Sequence, residues 1–173
     1  MRKYNFETKE VIVTTTFSTP LGEMFAAASK KGIVILSSFT PFHIEAKIEV
    51  LKNTLNADVI PGNCEAFEIL KIQLNEYLNK QRKTFEIPLQ LVGSPFQIKV
   101  WKELLNIPYG KTINCAEIAK KLEDEELSKA ISNATLQNMI DILVPSFRVI
   151  LDEVKFSVDE KNNFLLKLEK NDK

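Results

Sequence analysis

At 173 residues with 45% hydrophobic side chains, the chain can bury one core or two small ones, which excludes a disordered chain. Its 23 Lys and Arg match 23 Asp and Glu, so no global basic field points to a nucleic-acid partner. No apolar run could span a bilayer and the start "MRKYNFETKE" lacks the apolar stretch of a secretory signal, so the expectation is a cytoplasmic protein with no membrane partner.

In chain order, "VIVTTTFSTPLGEMFAAASKKGIVILSSFT" is rich in β-branched and aromatic residues, with turn formers at Thr19 to Gly22 and Lys30 to Gly32. It predicts a three-strand antiparallel meander. Thr40 and Pro41 predict the cap and first turn of a helix whose Ile44, Ile48, Leu51 and Leu55 share one face. The strand "ADVIP" follows, then Asn63 as the cap of a helix carrying Phe67, Leu70, Leu74, Tyr77 and Leu78 on one side.

Beyond "PLQLVGS" the character changes to short helices. Ser94 and Pro95 start one that turns Phe96, Val100, Trp101 and Leu104 inward. Asn114 and Glu117 stand at capping-box spacing ahead of "AEIAKKL". The acidic run Glu123 to Glu126 leads into "LSKAISNATLQNM", and short strands are expected at "DILVP" and "FRVIL". Two short helices with a tight connection and then strands predict a helix-turn-helix with a wing. A last helix, roughly Asp159 to Lys170, is expected to point Phe164, Leu165 and Leu168 inward.

The run "LNEYLNKQRKTFEIPLQLVGSPFQIKVWKELLNIPYGKTINCAEIAKKL", with the later "NMIDILVPSFRVI" and "LLKLE", resembles the O6-alkylguanine-DNA alkyltransferase (methylated-DNA-protein-cysteine methyltransferase) family. Phe85, Pro88, Leu89, Phe96, Gln97, Val100, Trp101, Leu104, Ile107, Pro108, Gly110, Thr112, Ile118 and Ala119 fall on its spacing, and the likeness is looser before Asn63. The resemblance implies an α/β, RNase H-like domain over residues 1–88 and a mainly helical, winged helix-turn-helix domain over residues 89–173. It also implies DNA repair by one irreversible transfer of an alkyl group, from the O6 of a flipped-out guanine to a cysteine thiolate.

The family order Pro-Cys-His-Arg-Val reads here Pro145, Ser146, Phe147, Arg148, Val149. A serine hydroxyl without a base keeps its proton at neutral pH, and a phenyl ring cannot take it. Asn138 and Glu169 fall where the resemblance implies an asparagine and a glutamate that orient the cysteine-histidine pair. Cys115 matches the tyrosine that turns the target nucleotide, and Lys129 matches the arginine that fills its place in the stack. The recognition-helix run becomes Ser128, Lys129, Ala130, Ile131, Ser132, and "LDEVKFSVDEKNN" stands where a glycine-rich pocket loop is implied.

These departures predict a degenerate member that is not an enzyme: a catalytically inactive alkyltransferase-like protein with no active catalytic residue. It would bind double-stranded DNA or alkylated guanine weakly through Cys115, Ser128, Lys129, Ala130, Ser132 and Arg148, with another repair protein as a further partner. The alternative is a protein-interaction or regulatory module that has lost DNA binding. Between Ser94 and Ile150, seven basic residues meet seven acidic ones, and "EDEE" at the start of the would-be recognition helix would repel phosphate. Ser146 as a nucleophile in its own right and Cys115 as a relocated acceptor are the remaining sharp readings; the plain ones are a buried or pocket-lining hydroxyl bonded to backbone for Ser146 and an inert small hydrophobe for Cys115. Cys64 and Cys115 have no metal-like spacing and His43 is the sole histidine, so neither metal nor cofactor is expected. The sequence is silent on oligomeric state.

Overall fold

The computed structural model describes residues 9–151 and 160–172. The expected meander forms β1 (Glu10–Thr19), β2 (Gly22–Ser29) and β3 (Gly32–Ser38), each antiparallel to its neighbour. Runs of consecutive buried residues in β2 and β3 mean that both faces are covered there. Helix α1 (Pro41–Leu55) follows, with Ile44 and Leu51 buried; Thr40 takes the N-cap position but its side chain makes no capping bond. The helix ends at Asn56, which takes the left-handed conformation common at such ends. Strand β4 (Ala57–Pro61) then pairs parallel to β1, giving the order β3-β2-β1-β4.

Helix α2 (Glu65–Leu78) is capped at Cys64 rather than at Asn63. Asn63 instead braces the entry from one residue outside, accepting from the Cys64 amide and donating to Glu68. The chain then returns along the open edge of β3, where the Ile33 amide donates to Pro88 O and the Gln90 amide to Ile33 O, each at 2.9 Å. Gly32 makes this approach possible. Its φ is +140°, and a Cβ there would stand 2.2 Å from Pro88 O.

The second half opens with α3 (Pro95–Leu104), started by a complete capping box between Ser94 and Gln97. Its Val100, Trp101 and Leu104 are buried, and the Trp101 indole donates to Ala134 O at 2.9 Å. After β5 (Ile113–Asn114), the expected Asn114–Glu117 capping box starts α4 (Cys115–Lys121). Glu123, in the left-handed region, turns the chain; Asp124 caps a 3-10 turn at Glu125–Leu127, and α5 (Ser128–Leu136) follows. Helices α4 and α5 are the helix-turn-helix pair, and α5 packs on both α4 and α3.

Three expectations need correction here. "DILVP" is a turn that begins just after the bridge between Ile140 and Leu36, because its backbone groups bond within the turn and to the β3 edge. "FRVIL" begins in a 3-10 turn, Ser146–Arg148, which leaves only β6 (Val149–Ile150), parallel to β5. In α6 (Glu160–Lys170), Leu165 and Leu168 are buried but Phe164 is 45% exposed, lying one residue off their shared face. The expected start at Asp159 and residues 152–159 of the pocket-loop region lie outside the described residues.

One apolar core runs unbroken from the sheet to α6. Because residues 88–90 and 139–141 both bond to β3, the two halves meet along that strand and a site can form between them. Among the described residues, no helix is long and apolar enough to cross a membrane.

Candidate functional site

The turn that carries Ser146 is held from beneath by Asn138. That buried amide donates to Val144 O at 2.8 Å, Ile140 O at 3.2 Å and Ser146 Oγ at 3.1 Å, and accepts from the Ile140 amide at 3.0 Å. Inside the loop Ile142 sits at φ +71°, a strained conformation for a β-branched residue that persists only when the surroundings enforce it. Asn138 therefore positions Ser146 by local bracing. The serine hydroxyl receives an amide donor, which cannot remove its proton. So arranged, Ser146 is a hydrogen-bonding group at the edge of a cleft.

Phe147 lines the cleft beside Ser146 but offers it no proton acceptor. It is buried, with its ring centroid 5.3 Å from the Arg148 guanidinium carbon, and Tyr109 holds the same guanidinium at 5.8 Å. Arg148 donates to Glu169 from Nη2 at 2.5 Å and from Nε at 3.0 Å, and to Ile107 O at 2.7 Å. Glu169, 3% exposed, also accepts from Tyr77 Oη at 2.7 Å and from the Gly110 amide at 3.0 Å. Burial, then the Glu169 hydrogen bond, pushes the Tyr77 hydroxyl far above the ordinary tyrosine range. Burial followed by a bond to Asp172 raises Tyr109 to about 12. The carboxylate expected to orient a catalytic pair is thus the centre of a buried polar cluster joining α2, α6 and the Ser146 turn.

Two residues expected on a DNA-binding surface are elsewhere. Arg148 is 8% exposed and ion-paired, so it supplies no basic edge, and the expectation is corrected on that ground. Cys115 is 6% exposed, its side chain turned into the core from the first turn of α4, so it cannot stand in the groove as a nucleotide-turning side chain would. Lys129 is exposed, as are Lys120 and Lys121 at the end of α4, while Ser128, Ala130 and Ser132 are half-buried along α5. The acidic run Glu123 to Glu126 is exposed just before that helix.

Beside Ser146 opens a cleft of about 920 Å³, within the range of small-molecule sites. Ser146, Asn138 and Gln97 line its C-terminal side, and His43 and Lys47 of α1 line the other. The sequence separates His43 from Ser146 by more than half the chain; the fold puts both on one cleft, with His43 exposed. Lys47, Ser37 and Lys161 also reach it, and no local motif marks them. Among the described residues there is no group of three or more His, Cys, Asp or Glu that could hold a metal.

The sequence model described as "6-O-methylguanine DNA methyltransferase, ribonuclease-like domain" matches residues 12–91, and the one described as its "DNA binding domain" matches residues 95–171. The chain belongs to the 6-O-methylguanine DNA methyltransferase family. It is 37% identical to the constitutive methylated-DNA–protein-cysteine methyltransferase of Bacillus subtilis (strain 168), over 90% of this chain and 94% of that one. To the methylated-DNA–protein-cysteine methyltransferase of Methanosarcina acetivorans it is 34% identical, over 88% and 95%. The crystal structure of Mycobacterium tuberculosis OGT in complex with DNA superposes with a TM-score of 0.73 at 29% identity, covering 94% of each chain.

Membership in this family confirms the two-part fold, a ribonuclease-like sheet region and a helical C-terminal region. It also overturns one expectation. That the chain is not an enzyme was argued from Ser146, Phe147 and the accompanying departures from the family pattern; relatives matching nine-tenths of the chain are named as methyltransferases, so the expectation is withdrawn.

Proposed function

We propose that the protein is a DNA-repair protein of this methyltransferase family that binds duplex DNA through α4 and α5 and takes an O6-alkylated guanine into the cleft at Ser146. The observation that carries this reading is the position of the cleft. It opens at the Asn138-braced turn that follows the helix-turn-helix pair, and it is large enough for a purine extruded from the stack. Exposed Lys120, Lys121 and Lys129 supply phosphate contacts on the same helices, and a related structure is a complex with DNA.

Charge limits the affinity. Glu123 to Glu126 precede α5, where a helix start would otherwise attract phosphate, and Arg148 is spent on Glu169. Duplex binding is therefore weak and steeply salt-dependent. The test is fluorescence anisotropy on matched duplexes carrying one guanine or one O6-methylguanine, at low and moderate salt. Tighter binding of the lesion duplex is expected; equal binding of the two, or none at low salt, refutes the proposal. Transfer is read separately, from the intact mass after incubation with O6-benzylguanine, and peptide mapping of any benzylated protein names the accepting side chain.

A further inference from the structure

The wall of the cleft beside Asn138 carries a chain of amides whose orientation is fixed from the backbone. The Ser94 amide donates to Gln97 Oε1 at 2.9 Å, within the capping box that starts α3. A backbone N–H can only donate, so the Gln97 oxygen faces it and the Gln97 nitrogen is turned outward. That nitrogen, Nε2, donates to Gln137 Oε1 at 2.7 Å. The Gln137 carboxamide is thereby set with its oxygen toward Gln97, and its Nε2 is the end that a ligand in the cleft can meet. Gln137 is exposed, lines the cleft and stands next in the chain to Asn138, the amide that holds Ser146. No local motif marks the link, because 40 residues separate the two glutamines.

A carboxamide nitrogen donates and never accepts, so one held in place favours a base with an acceptor opposite it. Guanine and O6-alkylguanine both carry acceptors at N3 and N7, and a donor there cannot tell them apart. They differ at N1. Guanine bears a proton on N1; alkylation at O6 removes it and leaves a lone pair, so a donor becomes an acceptor. A base turned out of the duplex is read along this same edge. We propose that Gln137 is a specificity-determining residue of the cleft, its Nε2 donating to N1 of an O6-alkylated guanine. An unmodified guanine sets N1–H against N–H and leaves both without an acceptor, a cost that falls on the undamaged base alone. Gln97 is a positioning residue that keeps Gln137 in its donating orientation. The inference rests on the lesion reading above and adds to it the atom that is read.

The test measures fluorescence anisotropy of the full-length protein on matched duplexes carrying guanine, O6-methylguanine or O6-methyl-1-deazaguanine, in which C–H replaces N1. Ratios of affinities are read, so effects common to all three duplexes cancel. The ratio of O6-methylguanine to its 1-deaza analogue should fall roughly threefold to tenfold from the wild type to Gln137→Leu, which completes a cycle between one side chain and one atom. Gln97→Leu should narrow the same ratio, because Gln137 is then free to turn its oxygen to the base. Gln137→Glu keeps an oxygen for Gln97 but presents an acceptor to N1, so it should lower the preference for O6-methylguanine over guanine. A Gln137→Leu ratio equal to that of the wild type overturns the proposal, and a wild-type preference for O6-methylguanine over guanine then leaves the lesion reading standing. Absence of that preference in the wild type overturns both.

Discussion

Glu169→Gln tests whether the buried cluster, rather than a catalytic pair, is what Glu169 serves. The carboxylate is almost fully buried, and the substitution removes the negative charge paired with Arg148 while leaving that guanidinium with the Ile107 carbonyl and two aromatic rings. Breaking a buried pair by removing one partner costs about 3–5 kcal/mol, because the other charge is stranded. The reverse change, Arg148→Met, should fall toward the low end of that range, since Glu169 keeps the Tyr77 hydroxyl and the Gly110 amide as donors. For a chain of this length each kcal/mol moves Tm by roughly 2–4 °C, so Glu169→Gln should melt about 6–20 °C lower. Urea unfolding of both single variants and the double variant completes the cycle. The double variant should recover about 2–3 kcal/mol relative to the sum of the singles. Single losses below about 1 kcal/mol, or strict additivity, would mean that the pair is hydrated and the cluster does not join the two halves.

Gly32→Ala should lose about 2–5 kcal/mol, from its left-handed backbone and the collision with Pro88 O, whereas Gly22→Ala, with open space around its Cβ, should lose only the backbone part; urea midpoints at constant m separate them. Tyr77 and Tyr109 have folded pKa values raised above the ordinary 10.0, so the stability they contribute is present below that pH and is lost as pH rises toward about 12. Lys47, whose pKa is lowered, works in the opposite sense below 10.5, so the decline in urea stability should be sharper in Lys47→Met and shallower in Tyr77→Phe. Ultraviolet titration of the native protein should show Tyr109 ionising only near pH 12. On lesion-free duplex, Lys129→Ala should weaken binding and reduce the salt slope by about 0.9 if this exposed side chain contacts phosphate; an unchanged slope would remove it from the interface.

Much of the fold was legible because its signals are local. The capping boxes at Ser94–Gln97 and Asn114–Glu117 operate within four residues, and the meander is bounded by turns around Gly22 and Gly32. Where a bond crosses the chain, the reading failed. Arg148 looked like a surface cation because nothing near it in sequence would bury it; its partner Glu169 is 21 residues on, and Tyr77, which shares that carboxylate, is 92 residues from it. "DILVP" has strand composition, but its edge is claimed by a side-chain amide and by β3, and those bonds shape it into a turn. The single step of register that exposes Phe164 was likewise invisible without the packing of α6.

The sequence by itself determined the family, the order of elements and the identity of the side chains at the Ser146 turn, because residue type and spacing carry that information directly. Only the tertiary structure decided what those side chains do. It buried Phe147 against Arg148, turned Glu169 into a structural anchor and brought Lys47, Ser37 and His43 to the cleft of Ser146. The physical reason is that burial and charge pairing depend on distance in space, and the elements that meet at β3 and α1 are far apart along the chain.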